Sequence, residues 1–479
     1  MNLPDKIRQV CRMGPVFLVG GFVRDTILHR ASNDYDFVVA GDAEAFAQRV
    51  AGQLGTRVIR MGKGRKVDYR IVSGRDTLDF APMAGECIEE DLRRRDFTIN
   101  ALAYDLGSDR LIDPAGGLED LRSKTVRLVS EEAVRADPVR MLRAFRFAAV
   151  LGFDVAPETL HILGRENERI VRSAGERIRS ELFQLMSAPC SAAHVRKLAD
   201  VGLLSRVIPE LGACQGCLQG EIHGRDVFEH TLAVYEQIEA VVNDHAALWP
   251  RFSGHTGDYL RADHRNVLLK FAALLHDTGK PACRQTDLQG NVRFLGHDQE
   301  SGRLAGDIGT RLRMSARERR YVTLIVSKHM RPLFLFNARQ SGRLKSKGIV
   351  RFGRKYGDDI IGLLIHGLAD QRGKAGVGEG VVEEFVRFVD EVLSVYFSTL
   401  KPKMAMPKVL TGKDLIDHFG LEPSKLIGKL LNKLGEAHLQ GRIETKEEAL
   451  AMAGRLIEME GDAGIEPATP SSGGLCSIP

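Results

Sequence analysis

Two acids one residue apart are the first residues in this chain whose spacing could do chemistry. In VFLVGGFVRDTILHRASNDYDFVVA, residues 16–40, an apolar run that reads as a strand leads to Gly20-Gly21. A short amphipathic stretch follows, then a second strand carrying Asp34-Tyr35-Asp36. Residues i and i+2 of a strand share a face, so Asp34 and Asp36 project side by side, which is costly unless a cation is shared. Hard carboxylate oxygens on a rigid strand suit Mg²⁺. Taken alone the pair reads as two exposed aspartates on an edge strand; after a Gly-Gly turn it reads as a metal site. Gly20 and Gly21 lack Cβ atoms and let backbone N–H groups approach an anion, and Arg24 adds a fork-shaped donor one turn later. Asp79, in TLDFA at 77–81, is either a third carboxylate by the same logic or a surface acid at a strand end.

A second set lies in mid-chain: His230 (VFEHTL), His276-Asp277 (ALLHDTGKP), His297 (FLGHDQESG), His329 (VSKHMRP) and Asp370 (GLADQRG). Imidazole and carboxylate bind divalent transition metals, and an adjacent His-Asp in the apolar run LLKFAALLHD is expensive unless something compensates. A metal compensates well. Cys214 and Cys217 form a CxxC with no second pair nearby, and seven scattered cysteines make no disulfide framework, so ordinary thiols are expected.

These residues need elements to position them. The 479 residues amount to about three domains of ~150. With 68 basic against 63 acidic residues the net charge is only +5, and 43% hydrophobic content excludes a wholly disordered chain, so any nucleic-acid surface is local. No apolar run nears the ~18 residues that cross a bilayer, and MNLPDKIRQV has no signal-peptide core, so a cytoplasmic protein without membrane partners is expected. Further strands are expected at 57–61, 67–72 and 77–81, which makes the first ~125 residues a small mixed α/β unit. Beyond Ser130 the pattern is helical. Over 137–151 one stripe, Leu142, Phe145 and Ala149, packs, and another, Asp137, Arg140 and Arg143, projects. The block EEDLRRRD at 89–96 reads as a solvated, ion-paired helix, yet it runs into the apolar FTINALAY, so Asp96 and Asn100 need polar partners. A boundary is expected at KPKMAMP, 401–407, a poor helix with two prolines. The expected parts are a mixed α/β unit (1–128), a helical segment (129–222) that the resemblance described next makes a neck with RNA-binding helices, a histidine-rich helical domain (223–400), a helical tail (401–460) and a disordered end (461–479).

The ordered motifs LVGGFVRD, DYDF, EEDLRRRDFTINALA, LIDPAGGLEDL and ADPVRMLRAFRFAA closely resemble bacterial class II tRNA nucleotidyltransferases and poly(A) polymerases, of the polymerase-β-like superfamily. The resemblance implies a mixed-sheet α/β head followed by an all-α neck and body. It implies Mg²⁺ at Asp34 and Asp36, with Asp79 as the further catalytic carboxylate, and triphosphate contact from Gly20, Gly21 and Arg24. It further implies a nucleotide site lined by one of Arg94 or Arg95 with Asp96 and Asn100, and base reading by Asp137, Arg140, Arg143 and Arg146. CTP, ATP and the tRNA 3′ end are the implied partners. The mid-chain set resembles the HD phosphohydrolase pattern, implying a mono- or dinuclear site for a transition metal such as Mn²⁺ or Ni²⁺, with Lys280 near a substrate phosphate. The segments VRSAGERIRSELFQLM, with Arg172, Arg177 and Arg179, and LTGKDLIDHFGLEPSKLIGKLLNKLGEAHL, with Lys425, Lys429 and Lys433, resemble RNA-contacting parts of the same family; solvated surface faces are the equal alternative.

Two departures from the family pattern matter. Ala136 stands where a glutamate commonly precedes Asp137, and only FAPMAGECIEEDLR separates Asp79 from Arg94, leaving little room for the flexible loop of CCA- and A-adding members. Its absence is associated in the family with addition of CC only, so CC addition to the tRNA 3′ end is expected ahead of full CCA addition. A poly(A) polymerase or A-adding enzyme is the alternative, and from other classes an RNA-binding protein with an inactive head or a nucleotide-sensing HD regulator.

Overall fold

The computed structural model describes residues 5–11, 13–63, 66–105, 107–219, 224–405, 409–439 and 441–461. From residue 462 on, the expected disordered end lies outside the described residues. One compact unit takes the described residues up to Asp244 with Leu260–Lys328 and Ala369–Val377. The other takes His245–Tyr259, His329–Leu368 and the described residues from Gly378 on.

The first unit opens with a seven-stranded mixed sheet in the order β3-β4-β5-β2-β1-β6-β7. Its strands are β1 (Val16–Val19), β2 (Asp34–Val39), β3 (Val58–Lys63), β4 (Lys66–Ser73), β5 (Asp76–Pro82), β6 (Ala103–Asp105) and β7 (Arg110–Ile112). The 57–61 run forms a strand shifted to start at Val58 and end at Lys63, and the 67–72 and 77–81 runs form strands one residue longer at each end. β2 and β5 pair in parallel, the other pairs antiparallel. Alternation assigns the faces. Phe37 and Phe80, in register, stack at 4.9 Å, and Phe46 of the helix Ala43–Gln53 lies 5.7 Å from Phe80. Asp36 and Asp79, one residue earlier on each strand and also in register, therefore fall on the other face. Asp42 starts that packing helix by accepting from the Ala45 N–H at 3.0 Å.

The helix expected over 137–151 begins later, spanning Arg140–Leu151 and ending at Gly152 in the left-handed region. Asp137 is extended (φ −149°, ψ 95°), because it precedes Pro138 and the proline ring disfavours helical backbone before it. Met141, Leu142, Ala144, Phe145 and Ala148 form the buried face. The helices Gly175–Ser187, Ala192–Asp200, Val227–Leu248, Arg265–Leu275 and His297–Arg311 follow. No described helix is long and apolar enough to cross a membrane.

In the second unit, Phe336, Phe385 and Phe388 make one aromatic cluster, with ring centroids 4.9–5.6 Å apart. The helices Gly412–Phe419, Lys425–Leu439 and Lys446–Gly461 build a separate small core from Leu415, Leu430, Leu434, Ala449 and Ala453. Thr411 and Asp414 form a capping box at the first of these, and Gly420 (φ 63°) ends it. KPKMAMP differs from its reading as a poor helix. Lys401–Ala405 is helical and runs on directly from a π-helical turn at Tyr396–Leu400, so Pro402 lies inside a continuous helical run, just past a turn where the regular hydrogen-bond ladder is already interrupted.

Candidate functional site

The head site is built on β1, β2 and β5. Gly20 closes β1 at φ +69°, and its N–H bonds to the Leu102 carbonyl at 3.1 Å. A Cβ added there would lie 3.0 Å from Arg95 Nη1 and 3.4 Å from Asp36 Oδ2, so glycine is required by both conformation and space. At Gly21 a Cβ would meet Arg24 Nη2 at 3.7 Å and Asp36 Oδ2 at 4.0 Å. The structure thus gathers Gly20, Gly21, Arg24, Arg95 and Asp36 around one point, with Asp79 beside Asp36 in register and Asp34 two residues away on the same strand face. Asp34 is exposed and Asp36 half-buried. Burial raises the Asp36 carboxyl to about 6; Arg95 and Arg70 pull it down, while Asp79 and Asp34 push it up. A half-buried carboxylate repelled by two others, beside a glycine turn that leaves it uncovered, fits a hard divalent cation such as Mg²⁺.

Of the two candidate arginines, Arg95 faces Asp36, anchored by Asp91 at 3.2 Å, while Arg94 is exposed beyond the end of the helix Ile88–Arg93. The EEDLRRRD block is therefore less solvated than its sequence suggests, since Asp91 is buried and in use. Arg24 is committed too. Nε and Nη2 fork onto Asp25 at 2.9 Å each, and Nη1 donates to Asn100 Oδ1 at 2.7 Å.

From Asn100 the bonds continue as a relay. Asn100 donates to Asp96 at 3.1 Å, and Arg143 donates to Asp96 at 3.1 Å and to Glu181 at 3.0 Å. Arg146 donates to the other oxygen of Glu181 at 2.6 Å. Phe147 lies under both Arg146 (4.0 Å) and Arg24 (5.0 Å). The stripe expected to project is accordingly corrected. Arg143 and Arg146 are tied into the protein, and Asp137 is gripped by Arg177 at 2.7 and 3.0 Å. Arg140 donates to the Ala133 carbonyl at 3.2 Å, and its buried Nε has no hydrogen-bond partner among the described residues.

Sequence reasoning missed Asp25, Arg70, Asp91 and the roles of Arg177 and Glu181. Arg177, expected at RNA or on a solvated face, forks onto Asp137, while the buried Glu181 accepts from Arg143 and Arg146 of the helix Arg140–Leu151. Arg179 likewise donates to the Arg313 carbonyl, leaving Arg172 exposed.

The histidine-rich block makes a second site. His276 and Asp277 follow the helix Arg265–Leu275 and are fully buried. His276 Nε2 lies 3.1 Å from Asp277, His297 Nε2 3.4 Å from Asp277, and His230 Nε2 3.1 Å from Asp370 and 3.7 Å from Asp277. Ligand atoms of His230, His276 and Asp370 fall within 4.8 Å of one another. The Nδ1 atoms of His276 and His297 sit 2.8 and 2.7 Å from the Ala273 and Phe294 carbonyls, which makes them donors and turns each Nε2 lone pair toward the acids. This nitrogen-and-oxygen set fits a transition-metal ion. Burial drives His230 toward the neutral form; for His276 burial does the same, but Asp277 overrides it and raises the pKa. Lys280 is buried and held by Asp277 at 2.7 Å and by Gln219, while Lys374 takes Asp370 at 2.7 Å. His329 belongs to the second unit, buried, its ring 5.7 Å from that of His366. Cys214 is buried and Cys217 half-buried, burial raises both thiols, and neither joins a metal-capable group among the described residues.

Comparison with known proteins follows this division. The model of the poly A polymerase head domain matches residues 16–127 and that of the HD domain residues 227–358. Models of an RNA and SrmB-binding site of polymerase A and of a tRNA nucleotidyltransferase domain 2 match 152–214 and 391–453. The A-adding tRNA nucleotidyltransferase of Deinococcus radiodurans is 32% identical over 92% of this chain and 95% of that protein. The CC-adding tRNA nucleotidyltransferase of Thermus thermophilus is 34% identical over 91% and 92%. In fold, the chain is similar to a CCA-adding enzyme solved with ATP, with TM-score 0.67, 23% identity and 96% of each chain covered. With a head sheet that brings Asp36 and Asp79 into register and relatives that align over nearly their whole length, this chain belongs to the tRNA nucleotidyltransferases.

Proposed function

We propose that the protein adds CMP to the tRNA 3′ end and stops at CC. The observation carrying the specificity is the link between β5 and the helix Ile88–Arg93. Only residues 83–87 separate them, and the link is tied down, with Ala84 N–H donating to Asp91 at 3.0 Å and Glu86 N–H to Glu90 at 3.0 Å. A segment so short and bonded has no freedom to act as the flexible loop associated, in this family, with the switch from C to A. On this reading Asp34, Asp36 and Asp79 hold Mg²⁺, which when bound acidifies the RNA 3′-hydroxyl and neutralises the leaving pyrophosphate. Arg95 and Arg24 place positive charge at the triphosphate, while Asp96 and Asn100 fix the arginines around it. Asp137 as acceptor and Arg140, Arg143 and Arg146 as donors read the base edge, with Arg143 and Arg146 held in place by Glu181.

Labelled CTP or ATP supplied with Mg²⁺ to tRNAs ending before CCA, after C or after CC tests this. Incorporation of two C and no A supports the reading; ATP joined to CC ends gives CCA or A addition instead, and long ATP tracts on generic RNA give a poly(A) polymerase.

For the second site the reading is a phosphohydrolase acting on damaged RNA ends, with His230, His276, Asp277, His297 and Asp370 holding Mn²⁺ or Ni²⁺. Such an ion supplies a hydroxide nucleophile at neutral pH. Phosphate release from 2′,3′-cyclic or 2′-phosphate nucleotides is expected from the intact protein and at least about a hundredfold less from His276→Ala, as for a lost metal ligand. Release unchanged in that variant makes the site structural only.

A further inference from the structure

Nothing in the sequence pattern singles out Arg70, yet the sheet places it in the same cross-strand row as the head carboxylates. Arg70 on β4 is the register partner of Asp79 on β5, and Asp79 that of Asp36 on β2. Its guanidinium forks onto Asp79, Nε to Oδ1 at 2.7 Å and Nη2 to Oδ2 at 2.6 Å, so both carboxylate oxygens are engaged. The pair lies on the open side of the sheet, with side chains 38% and 25% exposed, and the next residue in the row, Ile59 on β3, is 44% exposed. Arg70 therefore has solvent beside it into which to turn. Arg95, the other arginine acting on Asp36, is anchored by Asp91.

We propose that Arg70 is a built-in counter-cation. It neutralises Asp79 in the metal-free head and competes with the incoming divalent ion, which binds only as the guanidinium gives up its fork. The fork takes one lone pair on each Asp79 oxygen and so competes with a chelating cation for that edge of the carboxylate, and a fixed positive charge beside the carboxylates repels the ion. The inference rests on the reading that Asp34, Asp36 and Asp79 hold that ion.

Mn²⁺ titrated into the nucleotide-free full-length protein, with free ion followed by electron paramagnetic resonance, tests it. The head component is the binding lost in Asp36→Ala. Arg70→Gln is expected to tighten that component about tenfold, through loss of a nearby positive charge. Arg70→Lys keeps the charge but not the fork and is expected to tighten it about two- to threefold. Mn²⁺ binding in both folded variants that is equal to or weaker than in the parent overturns the inference while leaving the metal assignment standing. If Asp36→Ala removes no component, the metal assignment itself fails and the inference with it.

Discussion

Burial raises the Asp36 carboxyl from the usual 3.8 to about 6, with Asp79 and Asp34 adding to the effect and Arg95 and Arg70 opposing it. The folded state then holds this proton more tightly than the unfolded chain does. Stability contributed by Asp36 is present at low pH and declines as pH rises from about 3.8 to about 6, above which ionised Asp36 costs on the order of 3 kcal/mol. Asp36→Asn is therefore expected to raise the melting temperature of the metal-free protein near neutral pH, to give no gain at about pH 4, and to abolish nucleotide addition. Calorimetry at the two pH values distinguishes this from a packing effect, which would give equal gains at both. The acids at 34 and 36 were legible in the sequence because period-two alternation is local. Arg70, Asp91 and Glu181 were not, because their partners come from register and from elements that sequence spacing does not connect.

Among the elements, the turn from β1 into the helix Gly21–Ile27 is the least forgiving. Gly20→Ala is expected to cost about 1–3 kcal/mol for a positive-φ backbone (φ 69°, ψ −132°) that side chains rarely adopt, with a further loss of nucleotide binding because the methyl group would meet Arg95 and Asp36. Chemical denaturation and a CTP binding titration check the two effects separately; unchanged CTP binding would mean that Arg95 relaxes at no cost to the site. Strands and helices were legible from hydrophobic period. The start of the Arg140–Leu151 helix was mistaken because the spacing of Asp137, Arg140 and Arg143 continues helical geometry through a proline that forbids it. That error carried the wrong orientation for Asp137, whose partner is Arg177.

At the scale of the first unit, Lys270 is buried and binds Glu239 at 2.6 Å, Ser191 at 3.0 Å and the Ala188 carbonyl at 2.9 Å. Glu239 also accepts from the Ser191 and Ala192 N–H groups at 2.8 and 3.0 Å. This pair fastens the polymerase-A-like helices to the HD helices, matched at 152–214 and 227–358. Glu239→Ala strands a buried ammonium group and is expected to lower the unfolding free energy by about 3–5 kcal/mol. Urea denaturation checks this, and a loss below about 1 kcal/mol would show the ammonium finding water instead. The LLKFAALLHD run announced that something polar was being buried, but not that Lys270 as well as the His-Asp pair required it.

The relay from Arg24 through Asn100, Asp96, Arg143 and Glu181 to Arg146 has a consequence for fidelity. On the proposed roles, its two ends belong to different moieties of the same incoming molecule, so a mismatched nucleobase that disturbs Arg146 also unsettles the arginine meant for the phosphates. Rejection of the wrong monomer would then register as slowed turnover as well as weakened affinity, and paired substitutions at Arg24 and Arg146 would show losses smaller than the sum of the single ones.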